Sequence, residues 1–278
     1  LSLVTISLSL TVAAFFGFHS PIRSYLFIVT RDVLLAFTGI SLAIVLLNIF
    51  LMLISVLIEK KLKSHGSLPS PFPHAREDQK IFGPVIVMAP ILLVNVVIFA
   101  WSSSGLYFPQ GFHQYLSLSY RSGPVSYLGH IFMHNSLLHL LLNCLSIFLL
   151  GRPCLEVMRP LQFYAFYLSA GIAAGLSCQL ERYSYPFPAA GVGASGAIMA
   201  LFGVLARTDS VRFQHLLPTI SASSLLFLYV LWDILGIFWG GVSPVNHHCH
   251  LTGAAFGILL YPAFDFFWRN KDQYFEWA

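Results

Sequence analysis

Between Asp32 and Glu59 the chain runs for 26 residues without one charged side chain. Coiled as a helix at about 1.5 Å per residue, such a run is longer than the roughly 30 Å hydrocarbon core of a bilayer is thick. It stops at Glu59-Lys60-Lys61. Further apolar runs lie near residues 83–101, 127–150, 161–180, 190–206, 217–240 and 249–268. Composition agrees with this reading. Asp, Glu, Lys and Arg make up 9% of the chain and apolar residues 57%, whereas charged residues are about 25% of an average soluble domain. So little charge cannot coat a globule with polar surface. This excludes a soluble enzyme, a disordered chain and a nucleic-acid binder, and leaves an all-α polytopic membrane protein whose first partner is the lipid bilayer.

The runs divide the chain into four regions. Residues 1–58 form an N-terminal hydrophobic region with one extra transmembrane helix at 33–58, and residues 1–18 leave room for a second. Residues 59–81 are a polar linker rich in Ser, Pro and His, residues 82–268 a six-helix core, and residues 269–278 a tail. The chain starts at Leu1 rather than Met, as a fragment or a processed form does. The stretch 103–126 carries only Arg121 but is broken by Gly, Pro, Ser and Gln, so it is expected to be a long, partly embedded loop. The basic residues sort by side. Five in the 59–81 linker and two each in the 151–160 loop, the 207–215 loop and the tail fall on one side of the core, and only Arg121 and Arg182 on the other. By the positive-inside tendency the basic side faces the cytoplasm or its equivalent. The four cysteines, Cys144, Cys154, Cys178 and Cys249, show no CxxC spacing and are expected to be buried and reduced.

Polar residues inside apolar runs are costly and are functional candidates by default. One group is His130, His134, His139 and Asn143, assigned to the second core helix, with His139 and Asn143 four apart on one face. A second is Gly191-Val-Gly193-Ala-Ser195-Gly196, opening the fourth. A third is Asn246-His247-His248-Cys249-His250, opening the sixth, followed by Gly253 and Gly257. These helices run in the same direction. Ser195 is expected about five residues into its helix, His250 one or two into its own, and both lie near the charge-poor face. The chemistry that fits is acyl transfer, with Ser195 as nucleophile and His250 as base. The Ser195 N–H, the Asn143 amide and the His139 ring are candidate oxyanion donors. Gly193 and Gly196 let the backbone turn beside the nucleophile. Gly253 and Gly257 let the sixth helix approach the fourth. No acid is expected to orient His250, so the reading is a dyad rather than a triad. Asp233 reads as a packed, hydrogen-bonded or protonated structural residue.

On His139-Leu-Leu-Leu-Asn143, Gly193-Ala-Ser195-Gly196 and His250-Leu-Thr-Gly253-Ala-Ala-Phe-Gly257, with His134 five residues before His139, the core resembles the rhomboid intramembrane serine proteases. Within that family it is most similar to the mitochondrial, presenilin-associated rhomboid-like type. The signs are Tyr167-Leu-Ser-Ala-Gly171, the His247-x-x-His250 pair, Trp268-Arg-Asn-Lys271 and an extra helix ahead of the core. Met199 stands where many bacterial relatives carry Tyr. The resemblance implies a six-helix rhomboid core, Ser195 as nucleophile, His250 as base, and His139 with Asn143 at the oxyanion hole. It also implies single-pass transmembrane proteins as substrates, no cofactor and no metal. The implied residence is the mitochondrial inner membrane, with a secretory-pathway membrane as the alternative. The 103–126 loop and the fifth core helix are the expected lateral gates. Three other readings compete. A histidine-box metal enzyme wants carboxylates among its ligands, and none is near these histidines in sequence. A catalytically inactive relative that binds and escorts membrane clients would usually have lost Ser195 or His250. An aspartyl intramembrane protease would carry paired YD and GxGD signatures, which are missing.

Overall fold

Helices begin and end in this chain where side chains or glycines satisfy or release the backbone, and the apolar runs alone do not mark those points. The computed structural model describes residues 77–103, 115–119, 123–182, 191–208, 221–238 and 245–269, all within the unit Leu46–Ala278. The extra helix at 33–58, residues 1–18, the linker up to residue 76 and the tail beyond residue 269 lie outside the described residues. Helix α1 is Glu77–Ser103, so the last residues assigned to the linker are helical. A short α2, Pro124–Gly129, leads into a 3₁₀ turn, His130–Phe132. Then follow α3 (Leu137–Cys154), α4 (Pro160–Arg182), α5 (Ser195–Arg207) and α6 (Ala222–Phe238). Finally α7 (His247–Ala255) continues through a π-helical turn, Phe256–Leu260, into α8 (Tyr261–Arg269). Among the described residues the only extended pairing is one antiparallel bridge, Leu118 to Gly191.

Gly83–Ser103, Leu137–Cys154, Pro160–Cys178 and His247–Trp268 are long and apolar enough to cross a bilayer, while α5 and α6 are shorter apolar helices. With the family match reported below, this makes the chain an all-α, multi-pass integral membrane protein. Large apolar side chains such as Leu138, Leu141, Leu142 and Phe148 on α3, and Phe227 and Trp232 on α6, stand exposed. On a soluble monomer they would form a large sticky patch; in a bilayer they meet acyl chains.

Two expectations are corrected here. The run 127–150 is not one span. It breaks at the 3₁₀ turn and restarts at Leu137, because the Ser136 side chain caps α3 by accepting from the His139 N–H at 3.2 Å. His130 and His134 therefore precede the second core helix rather than lying in it. The 103–126 stretch is not wholly a loop, since Pro124 starts α2 from the first helical turn, where its missing N–H costs nothing.

The centre of the bundle is α5, buried at every residue from Gly196 to Leu205. Helix α7 lies against it with almost no side chain between. A Cβ on Gly253 would collide with the Gly196 carbonyl oxygen, and one on Gly257 with that of Ala200. These contacts advance in the same direction along both helices, so α5 and α7 run parallel. Below them Phe166 of α4 meets Phe256, Tyr261 and Phe264 edge-on, with ring centroids 5.3–5.9 Å apart. The Tyr164 hydroxyl donates to the Val87 carbonyl and ties α4 to α1.

Candidate functional site

The site forms where three helix starts meet. Ser195 is the first residue of α5, not the fifth, and His250 is the fourth of α7. The reason is local. Gly191 is held extended by its bridge to Leu118, with both N–H···O bonds at 3.0 Å. Gly193 has φ +122, a conformation rarely open to a residue with a side chain. Its N–H donates to the His130 carbonyl at 2.8 Å. The helix cannot start before this loop ends. At α7, Asn246 caps by accepting from the Cys249 N–H at 2.9 Å and so starts that helix early.

Gly193 is the junction. A Cβ there would lie 2.8 Å from both Cε1 and Nε2 of His139 and 4.0 Å from Ser195 Oγ. The His139 ring and the Ser195 hydroxyl thus border the same point of space. Asn143, one turn below His139, is buried and donates from Nδ2 to the His139 carbonyl at 2.9 Å. Its second N–H remains available. His134 is buried and stands edge-on to His139, ring centroids 5.0 Å apart. On the other side, Gly196 faces the Cys249 carbonyl, which brings the start of α5 against the turn that carries His250. His139 and His250 are also close enough to interact electrostatically. Ser195, His139 and His250 are each half-buried. Among the described residues, no hydrogen bond joins the Ser195 hydroxyl to the His250 ring; such bonds are often loose before substrate binds.

Helices α3 and α7 open with capping side chains, but α5 opens at Ala194 with none. The N–H groups of its first turn, which have no intrahelical acceptors in any helix, therefore meet no capping side chain either, and the positive end of the helix dipole points the same way. His130 has a different place from the other histidines. Its Nδ1 lies 3.1 Å from the Ser126 carbonyl, and its ring fills the space left by Gly175, so it holds up the Gly193 loop from behind.

One group was missed. The expectation that no acid lies beside His250 is corrected: Asp233 of α6 is fully buried, and its Oδ1 lies within hydrogen-bond distance of His247 Nδ1, at 2.7 Å, and of His250 Nδ1, at 3.2 Å. Asp233 is hydrogen-bonded, as expected of it, but its partner is the candidate base. The signal was an acid in the middle of an apolar run, together with two histidines three apart on one face of a helix. The four cysteines are free thiols, and all but Cys144 are buried. Among the described residues no three of His, Cys, Asp or Glu are arranged to hold a metal ion.

Residues 121–264 match the Rhomboid domain family. The chain is similar to the human presenilin-associated rhomboid-like protein, mitochondrial, at 29% identity over 146 residues, which is 51% of this chain and 38% of that protein. It is also similar to Rhomboid protein 1, mitochondrial, of Saccharomyces cerevisiae, at 26% identity over 196 residues, 63% of this chain and 52% of that protein. The matched stretch thus spans well under two thirds of either relative.

Proposed function

The chain belongs to the rhomboid family, and from that membership we propose that it is an intramembrane serine endopeptidase acting through Ser195 and His250. The observation that carries the reading is the meeting of His139 and Ser195 at Gly193, with the Cys249 carbonyl of the His250 turn against Gly196 next to Ser195. The Ser195 hydroxyl attacks the scissile carbonyl carbon as His250 takes its proton. The new oxyanion is met by the uncapped N–H of Ser195, the spare N–H of Asn143 and the His139 ring. The tetrahedral species collapses, the C–N bond breaks, and the proton on His250 passes to the leaving amine. Water then hydrolyses the acyl enzyme by the same base. Gly193, Gly196, Gly253 and Gly257 support the geometry, with His134 packed behind His139.

The protease core is taken as residues 82–268 and the substrates as single-pass transmembrane proteins; both relatives are named as mitochondrial, and the residence is taken as a mitochondrial membrane, the inner one. Ser195→Ala should abolish cleavage of a transmembrane substrate while leaving the thermal unfolding of the detergent-solubilised protein unchanged. A fluorophosphonate probe should label Ser195 in the native protein and fail to label it in His250→Ala. Full cleavage by Ser195→Ala would overturn the reading. A native protein that neither cleaves nor labels would favour an inactive relative that escorts membrane clients.

A further inference from the structure

We propose that Asp233 is the positioning residue of the catalytic base, so that the site works as Asp233–His250–Ser195 rather than as a two-residue dyad; this rests on the protease reading above. Asp233 lies on α6 and is fully buried. A carboxylate isolated in the apolar interior is strongly disfavoured. Here two ring nitrogens, His247 Nδ1 at 2.7 Å and His250 Nδ1 at 3.2 Å, converge on one oxygen, Oδ1, while Oδ2 is buried without a hydrogen-bond partner.

The chemistry follows from which nitrogen is engaged. An ionised carboxylate only accepts hydrogen bonds, so His250 must present its proton at Nδ1. That fixes the tautomer whose lone pair is at Nε2, the nitrogen left to receive the Ser195 proton. When Oγ attacks and the proton moves to Nε2, the ring becomes a cation whose Nδ1–H already faces a carboxylate. Asp233 gains no proton in this step. It orients the ring and stabilises its charged form.

His247 is the second half of the device. It is buried, and it holds the carboxylate on the side facing α7. Its ring occupies the space where Gly236 has no side chain; a Cβ on Gly236 would collide with the His247 ring. The gap at Gly236, one turn after Asp233, is what lets α7 bring both histidines to the same acid. The groups near His250 are thus Asp233 from α6, His247 from its own helix and His139 from α3.

The test separates orientation from folding. In Asp233→Asn the amide can turn its N–H₂ toward His250 Nδ1, which forces the proton onto Nε2 and blocks the base. Where serine proteases keep a buried Asp behind the base, this exchange lowers kcat by about 10⁴. The rate of fluorophosphonate labelling at Ser195 should fall by roughly tenfold or more, while the labelled fraction at the endpoint matches the native protein. KM for a transmembrane substrate should be unchanged. A merely structural role would lower the endpoint and leave the rate of the surviving fraction intact.

A second measurement needs no variant at position 233. Proton–nitrogen NMR of ¹⁵N-histidine-labelled native protein should show a strongly downfield Nδ1 proton that disappears in His250→Gln. A folded Asp233→Asn protein that labels at the native rate would overturn the proposal, and so would an unprotonated His250 Nδ1. A native protein that neither labels nor cleaves would sink the protease reading, and with it a catalytic role for Asp233. The NMR signal would then report only whether the pairing exists.

Discussion

Gly193 satisfies two demands with one missing side chain. Its φ of +122 is open to glycine and strained for other residues, and its absent Cβ leaves room for the His139 ring and the Ser195 hydroxyl. Gly193→Ala should therefore lose activity by at least about tenfold and lower stability by roughly 1–2 kcal/mol, since both the backbone and the His139 ring must move. Labelling rate and thermal midpoint, measured together, check this; a native labelling rate would rule out the junction role. Asn143 offers a cleaner probe of the oxyanion site. Its bond to the His139 carbonyl duplicates an acceptor already used within α3, so Asn143→Ala should fold normally. It should lower kcat by about 10²–10³ with KM unchanged, the usual effect of removing one oxyanion donor. An unchanged kcat would remove Asn143 from the site. At this scale the sequence was informative where neighbours in the chain are neighbours in space. His139 with Asn143, and Gly193 with Ser195, are such pairs. Asp233 was not legible in the same way. Its partner lies on the next helix, and only the packing of α6 on α7, with Gly236 as the gap, turns an isolated acid into a ligand of two imidazoles.

The elements carry the depth of the site. With 13 residues, α5 is about 20 Å long, shorter than the roughly 30 Å hydrocarbon core. If Arg207 sits at the basic surface, Ser195 lies about 18 Å above it and well below the opposite face. Apolar runs located the helices but misjudged their starts, because hydropathy does not register the bridge at Gly191, the positive φ of Gly193 or the caps at Ser136 and Asn246. The glycine spacing was more reliable than the run lengths, since close helix approach leaves a direct mark on sequence. The α5–α7 contact can be tested alone. Gly257 is two turns from His250, against the backbone of Ala200 and Gly203. Gly257→Leu should force the two helices apart and destabilise the protein by about 1–3 kcal/mol. It should also slow Ser195 labelling, because the two residues ride on the separated helices. A variant that melts lower but labels at the native rate would show that the site tolerates separation.

For the whole molecule, the proposed protease would have a submerged nucleophile, and that would restrict what it can cut. Helix α5 is enclosed on all sides, and the half-buried Ser195 lies at its open end. A substrate arriving as a transmembrane helix hides each carbonyl in an intrahelical hydrogen bond. It must unwind locally before Ser195 Oγ can reach a carbonyl carbon. The cost of unwinding scales with helix propensity, so residues that weaken the helix near the cleavage point should set the rate. Glycine is about 1 kcal/mol less favourable than a strong helix former. Replacing two glycines near the scissile bond by leucine should slow cleavage roughly 25-fold, if the whole difference falls on the unwinding step. The comparison requires proteoliposomes, where the substrate helix is held at fixed depth, and single-turnover rates, which isolate the step. Docking by the rest of the helix should be unaffected, so KM should stay within about a factor of two. Equal single-turnover rates for the glycine and leucine substrates would mean that unwinding does not limit the reaction, and that selection among membrane helices is made by contacts away from Ser195.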